Sequence, residues 1–217
     1  MIGYTPSSVR SPRASIDILV NNATGNSLTM NKATVFTSTV DGSSYQYVTN
    51  EDTTITPENG IYRFSNVTLY EGTPITFKYT YDSNDTDQRF VIPSSNADTS
   101  TLKVSVQTSS TDSSSSTYSL ATGYSSIDSD SKVYFIEEVE DGKFRIYFGD
   151  GVTGKKLDDG NIIILEYIVT NTTNSNGASA FTLSGNIGGF SDVTITTNSV
   201  SSGGAVAESN ASVKFNA

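Results

Sequence analysis

The 217-residue chain contains no histidine, no cysteine and no tryptophan. Without His or Cys, the Ser-His-Asp and Cys-His nucleophile systems, thiolate redox chemistry and the usual zinc and haem ligand sets are unavailable. Disulfides are impossible, so the redox compartment leaves no mark on the chain. Cations are scarce: 13 Lys and Arg stand against 23 Asp and Glu, a formal net charge of −10. Duplex DNA and anionic membranes need clustered positive charge, so neither nucleic acid nor membrane is an expected partner. No apolar run approaches the roughly 20 residues of a membrane span. Met1-Ile-Gly-Tyr4 also lacks the form of a signal peptide. Hydrophobic content is 35%, below the usual globular level. These shortages predict a soluble, acidic, non-enzymatic chain with no cofactor and no metal.

What is present points to strands. Ser, Thr, Asn and Gly are abundant, and 12 Tyr and 10 Phe supply bulk for a core. Ser and Thr suit turns and exposed strand faces rather than helix interiors. Ile16, Ile18 and Val20 alternate with polar neighbours, and 34–40, 44–49, 61–64, 67–70 and 75–81 read the same way. Leu102, Val104 and Val106 alternate in turn, and 161–169 is a near-continuous apolar run of the kind found in central strands. The only hint of helix is a turn or two at 118–124. The expected fold is all-β, with two β-sandwich-like subdomains, long loops and little helix. Expected boundaries are an extended lead-in over 1–14 and β subdomains over 15–106 and 118–199. Residues 107–117, dominated by Ser and Thr, read as a loop or linker between the subdomains, and 200–217 as a flexible exit segment.

The densest signal runs from Val133 to Gly154. Two β-prone runs, 133–139 and 144–148, flank Asp141-Gly142, a strong hairpin dipeptide. The second run stops at Gly149-Asp150-Gly151, with Gly154 three residues on. Three glycines in six residues imply positive φ or an approach too close for a side chain. The spacing from Gly149 to Gly154 and Lys155 nearly matches a phosphate-binding loop. Lys156, however, occupies the magnesium ligand's place, and a strand rather than a helix follows. Gly149, Asp150, Gly151 and Gly154 are therefore expected to form a structural turn.

Three other constellations carry weaker chemistry. Asp82-Ser-Asn-Asp-Thr-Asp87 begins like a calcium loop, but Asp87 stands where Gly is required and Pro93 where the bidentate Glu belongs. Glu137, Glu138, Glu140, Asp141, Asp158 and Asp159 contain no pair that sequence alone sets across a cleft, as a glycosidase needs. The tyrosines could line a sugar platform, which makes a carbohydrate-binding or adhesin-type β module the alternative to a structural role. Phe77, Tyr79 and Tyr81 nevertheless alternate as core aromatics do.

Val133-Tyr-Phe-Ile-Glu-Glu138, Asp141-Gly142, Phe148-Gly-Asp-Gly151, Gly154, Gly160 and Glu166-Tyr167 together carry a family likeness. From Ser131 to Thr170 the chain resembles the baseplate J-like proteins of contractile-tailed bacteriophages, among them the baseplate wedge subunits of T-even-type phages. Gly3–Ser7 with Arg10 and Ala14 resembles the family's entry into its β part. Glu208-Ser209 and Lys214–Ala217 resemble the exit. Glu71-Gly72, 88–93 and 102–106 match more loosely, and Asn174-Ser-Asn176-Gly177 departs from the family's usual Gly-Asn. The resemblance implies a structural subunit without catalytic residues, present here as an interior piece of a longer protein. It implies partners too: other baseplate wedge proteins and, in the full-length protein, a second copy of itself. The implied location is the virion tail baseplate after synthesis in the host cytoplasm. The isolated chain is expected to be monomeric, because the family's pairing regions lie outside it and the net charge favours self-repulsion.

Overall fold

A computed structural model describes residues 6–123 and 127–208. Within them the chain is all-β, with helix only as two 3-10 turns. The first strands are β1 (Arg13–Val20), β2 (Leu28–Met30), β3 (Val35–Val40), β4 (Ser43–Val48), β5 (Thr53–Ile55) and β6 (Tyr62–Glu71). Then come β7 (Thr73–Thr80), β8 (Phe90–Val91), β9 (Ala97–Gln107), β10 (Ser115–Leu120), β11 (Val133–Glu138), β12 (Phe144–Phe148) and β13 (Ile162–Val169). β14 (Thr182–Ser184) and β15 (Val193–Ser202) end the series.

These strands make two compact units, but not at the expected boundaries. One unit combines Arg10–Pro74 with Ile168–Val206; the other is Ile75–Tyr167 together with the chain up to Val9 and from Ala207. The division into 15–106 and 118–199 is thus replaced by an insertion. Residues 107–117 are not a linker. They turn the β9–β10 hairpin within one sheet, closed by Thr108 N–H to Ser114 C=O at 2.9 Å, with Ser115 opposite Gln107. A Ser/Thr tract satisfies a hairpin tip as well as a tether, so composition could not separate the two.

The six-stranded unit has the order β14-β3-β4-β6-β1-β15, accompanied by the β2-β5 pair. On β1, Ala14, Ile16, Ile18 and Val20 are buried while Ser15, Asp17 and Leu19 are only partly covered, as the sequence alternation predicts. These inward side chains join Phe36, Tyr47, Tyr62, Phe64, Leu69 and Phe181 in one core. Tyr47 and Tyr62 are its polar members: the Tyr47 hydroxyl donates to Ser175 C=O at 2.6 Å and its ring meets Phe181 edge-on, while the Tyr62 hydroxyl donates to Gly25 C=O. β6 changes phase midway. Ile16 pairs with Val67 but Ile18 with Phe64, so β6 carries one extra residue, and Asn66 there adopts φ 53°. The Asp17 carboxylate accepts the Asn66 N–H at 2.8 Å. Before this bulge Tyr62 and Phe64 are inward; after it Leu69 and Glu71 are.

The expected lead-in and exit are also structured where described. Ser8, Val9 and Ser11 are buried, β1 begins at Arg13, and Arg10 bridges to Ala205. β15 continues to Ser202, with Ser201 buried. Residues 1–5 and 209–217 lie outside the described residues.

The seven-stranded unit has the order β7-β13-β9-β10-β11-β12-β8. Its core contains a relay of ring contacts: Phe77 to Tyr79, Tyr79 to Phe90, Phe90 to Phe148 and Phe148 to Tyr118, with centroids 5.0–5.9 Å apart. β13 lies between β7 and β9, as its apolar run suggested. The β11–β12 hairpin forms at Asp141-Gly142, whose φ values of 61° and 65° are the left-handed pair that a tight hairpin turn demands. The helical hint at 118–124 is not realised: Tyr118–Leu120 finish β10, and 124 is outside the described residues.

Candidate functional site

Gly149, Asp150, Gly151 and Gly154 form one closed turn after β12. Gly149 must be glycine because a Cβ there would run into the Gly154 backbone, while Gly151 and Gly154 hold φ near +90°. Asp150 braces the loop by accepting the Val152 and Thr153 N–H groups, each at 2.9 Å. These bonds, that from Thr153 foremost, hold its carboxyl below the usual carboxylate range. Gly151 N–H donates to Gly154 C=O at 3.0 Å, Gly154 N–H to Asp128 C=O at 2.9 Å and Lys155 N–H to Ser131 C=O at 2.8 Å. Five consecutive backbone donors, 151–155, are therefore spent inside the protein. A phosphate cradle needs such donors free and convergent, so this loop is not one. It is a closed turn docked on the turn at 128–131 that leads into β11, with Val152 exposed at its tip.

Several of the other candidate residues are also engaged. Asp82 and Asp85 cap their own loop, accepting the N–H groups of Asn84 and Asp87 at 2.9 and 3.0 Å. Among the described residues no group of three or more acidic side chains could hold a metal ion. Glu137 pairs with Arg145 across the hairpin, and Asp159 accepts the Ser83 N–H at 2.8 Å. Glu138, Glu140 and Asp141 lie at the hairpin end and Asp158 in the loop before β13. Of the ten described tyrosines five are buried, four half-buried and one, Tyr147, exposed, so they make no platform. Burial raises the pKa of Tyr47, Tyr79, Tyr118 and Tyr167, and pushes Tyr134 up to about 12.

One fully buried carboxyl group was not singled out as a site by sequence reasoning. Glu71 is completely buried. Its carboxylate accepts Thr170 Oγ1–H at 2.6 Å, Asn171 N–H at 3.0 Å and Asn171 Nδ2–H at 2.6 Å. Three neutral donors satisfy it, which removes the main cost of burying such a group. Its own N–H donates to Pro12 C=O at 2.9 Å. Next to it, Gly72 exchanges N–H and C=O contacts with Gln46 and takes φ 128°, where a Cβ would strike the Val169 carbonyl. The only advance signal was Glu71-Gly72 after an apolar run, and the bulge at Asn66 hid its inward direction.

No family model matches the chain, and no curated protein is matched by it.

Proposed function

We propose that this chain is a structural subunit of a phage contractile-tail baseplate, of the wedge type, joining other wedge proteins through preformed β surfaces. The reading rests on the residues that resemble the baseplate J-like family, and one observation supports it above others. Val133–Phe148 folds as a single hairpin, and the glycine turn that follows it spends its glycines and backbone donors on holding shape. A segment arranged in this way suits fixed geometry in an assembly. Among the described tyrosines only Tyr147 is exposed, which favours this reading over the carbohydrate-binding module.

The test is co-expression with proteins encoded by neighbouring tail genes, followed by sedimentation. The chain alone should run as a monomer, and with its neighbours as a stable complex. Failure to join any of them, together with glycan-array binding that disappears on Tyr147→Ala, would move the assignment to the carbohydrate-binding class. Tyr147 is suited to this control because it is 40% exposed.

A further inference from the structure

Glu71 sits where four separate passages of the chain through the six-stranded unit come together. The first passage is Arg10–Pro12: Pro12 C=O accepts the Glu71 N–H, and Arg10 exchanges both backbone bonds with Ala205 at 2.9 and 3.1 Å. The second is Glu71-Gly72 itself, three residues before the chain leaves this unit after Pro74. The third is 168–172, just after the chain re-enters at Ile168. The fourth is Gly204-Ala205. A Cβ on Gly204 would collide with Pro12 and with the Thr172 carbonyl, and Asn176 binds the Gly204 backbone through both its side-chain amide groups at 3.0 and 3.3 Å. These segments lie far apart in the chain, with Arg10 and Ala205 near the two ends of the unit, yet they share one small polar neck.

The neck is also strained. Thr172 has φ 59°, a left-handed conformation that a β-branched residue avoids. Its N–H is held by Thr170 Oγ1 at 3.0 Å, the hydroxyl that itself donates to Glu71. The carboxylate thus anchors the donors that keep this conformation in place. Removing it leaves the buried Thr170 hydroxyl without its acceptor, together with the side-chain and backbone donors of Asn171, a residue that is itself exposed.

We infer that Glu71 is a conformational latch: the four passages open and close as one cooperative unit, and this carboxylate holds them closed. The device differs from an ordinary core contact in what it controls. A core contact stabilises the whole unit, whereas a latch governs a local opening that leaves the sheets folded. The inference does not depend on the baseplate reading, since it uses only contacts within the six-stranded unit.

Amide hydrogen exchange on the full chain tests it. In Glu71→Gln the side chain keeps its shape, but one accepting oxygen becomes a donor facing donors. Exchange at Arg10, Glu71, Gly72, Asn171, Thr172 and Ala205 should accelerate about tenfold or more, in concert. Amides in β3 and in the β11–β12 hairpin should keep their wild-type rates. If Glu71→Gln fails to fold, Thr170→Val provides a milder break and should give the same pattern at several-fold. Uniform acceleration across the six-stranded unit would make Glu71 a plain core residue and overturn the inference. So would unchanged rates at the neck, or acceleration at 171–172 that leaves Arg10 and Ala205 untouched.

Discussion

Two carboxylates in this protein do the same chemistry in opposite surroundings. Asp150 and Glu71 both accept backbone N–H groups and both stand next to a glycine whose φ is positive. Asp150 is exposed and binds residues two and three positions away; Glu71 is buried and binds residues 99 and 100 positions away. The exposed one shapes a loop that its own sequence already prefers. The buried one ties segments that have no local reason to meet, and closing such a distance in the chain carries an entropic cost that only the folded unit offsets. Similar hydrogen bonds should therefore have unequal consequences.

The largest effect should come from Gly72→Ala. The new Cβ meets the Val169 carbonyl and the Ile168 side chain between strands that cannot separate, at a φ that alanine resists. A loss of about 3 kcal/mol or more in urea unfolding is expected. Gly149→Ala collides with the Gly154 backbone, but at a half-buried position in a turn, whereas Gly72 is buried. About 1–2 kcal/mol should be lost there. If the two losses came out equal, the contrast between neck and turn would fail.

Asp150→Asn should have the smallest effect, present at neutral pH and fading in acid. The Asp150 pKa is depressed, so its contribution is complete above the unfolded value and disappears as pH falls through the folded one. Between about pH 5 and about pH 2, wild type should lose a little more stability than the variant. The remaining acid dependence should persist, because hydrogen bonds also depress Asp112 and Asp128, within their own loops, and Asp17 and Asp159, from distant segments. Urea midpoints measured across that range would show it.

The same contrast explains what could be read in advance. The Asp141-Gly142 hairpin, the alternation of β1 and the glycine turn are local features, governed by two to six adjacent residues, and each stands where the pattern placed it. The neck was illegible. A strict period of two through β6 would put Glu71 outward, and only the added residue at Asn66 reverses the phase. The insertion was hidden for a related reason. Residues 107–117 look like a tether in composition, whereas the true crossings, at 74–75 and 167–168, fall within or next to strands and carry no break in pattern.

The antiparallel contact between Arg10 and Ala205 has a mechanical meaning. Two chain segments that enter and leave side by side, bonded rung by rung, yield to tension by unzipping one rung at a time rather than by shearing many at once. Ser7 and Glu208 form another such rung, through a backbone bond of 2.9 Å and a side-chain bond of 3.1 Å. A pull along both segments would therefore spend itself on these few bonds first. The strands of β1 and β6 would be loaded only after the rungs had parted.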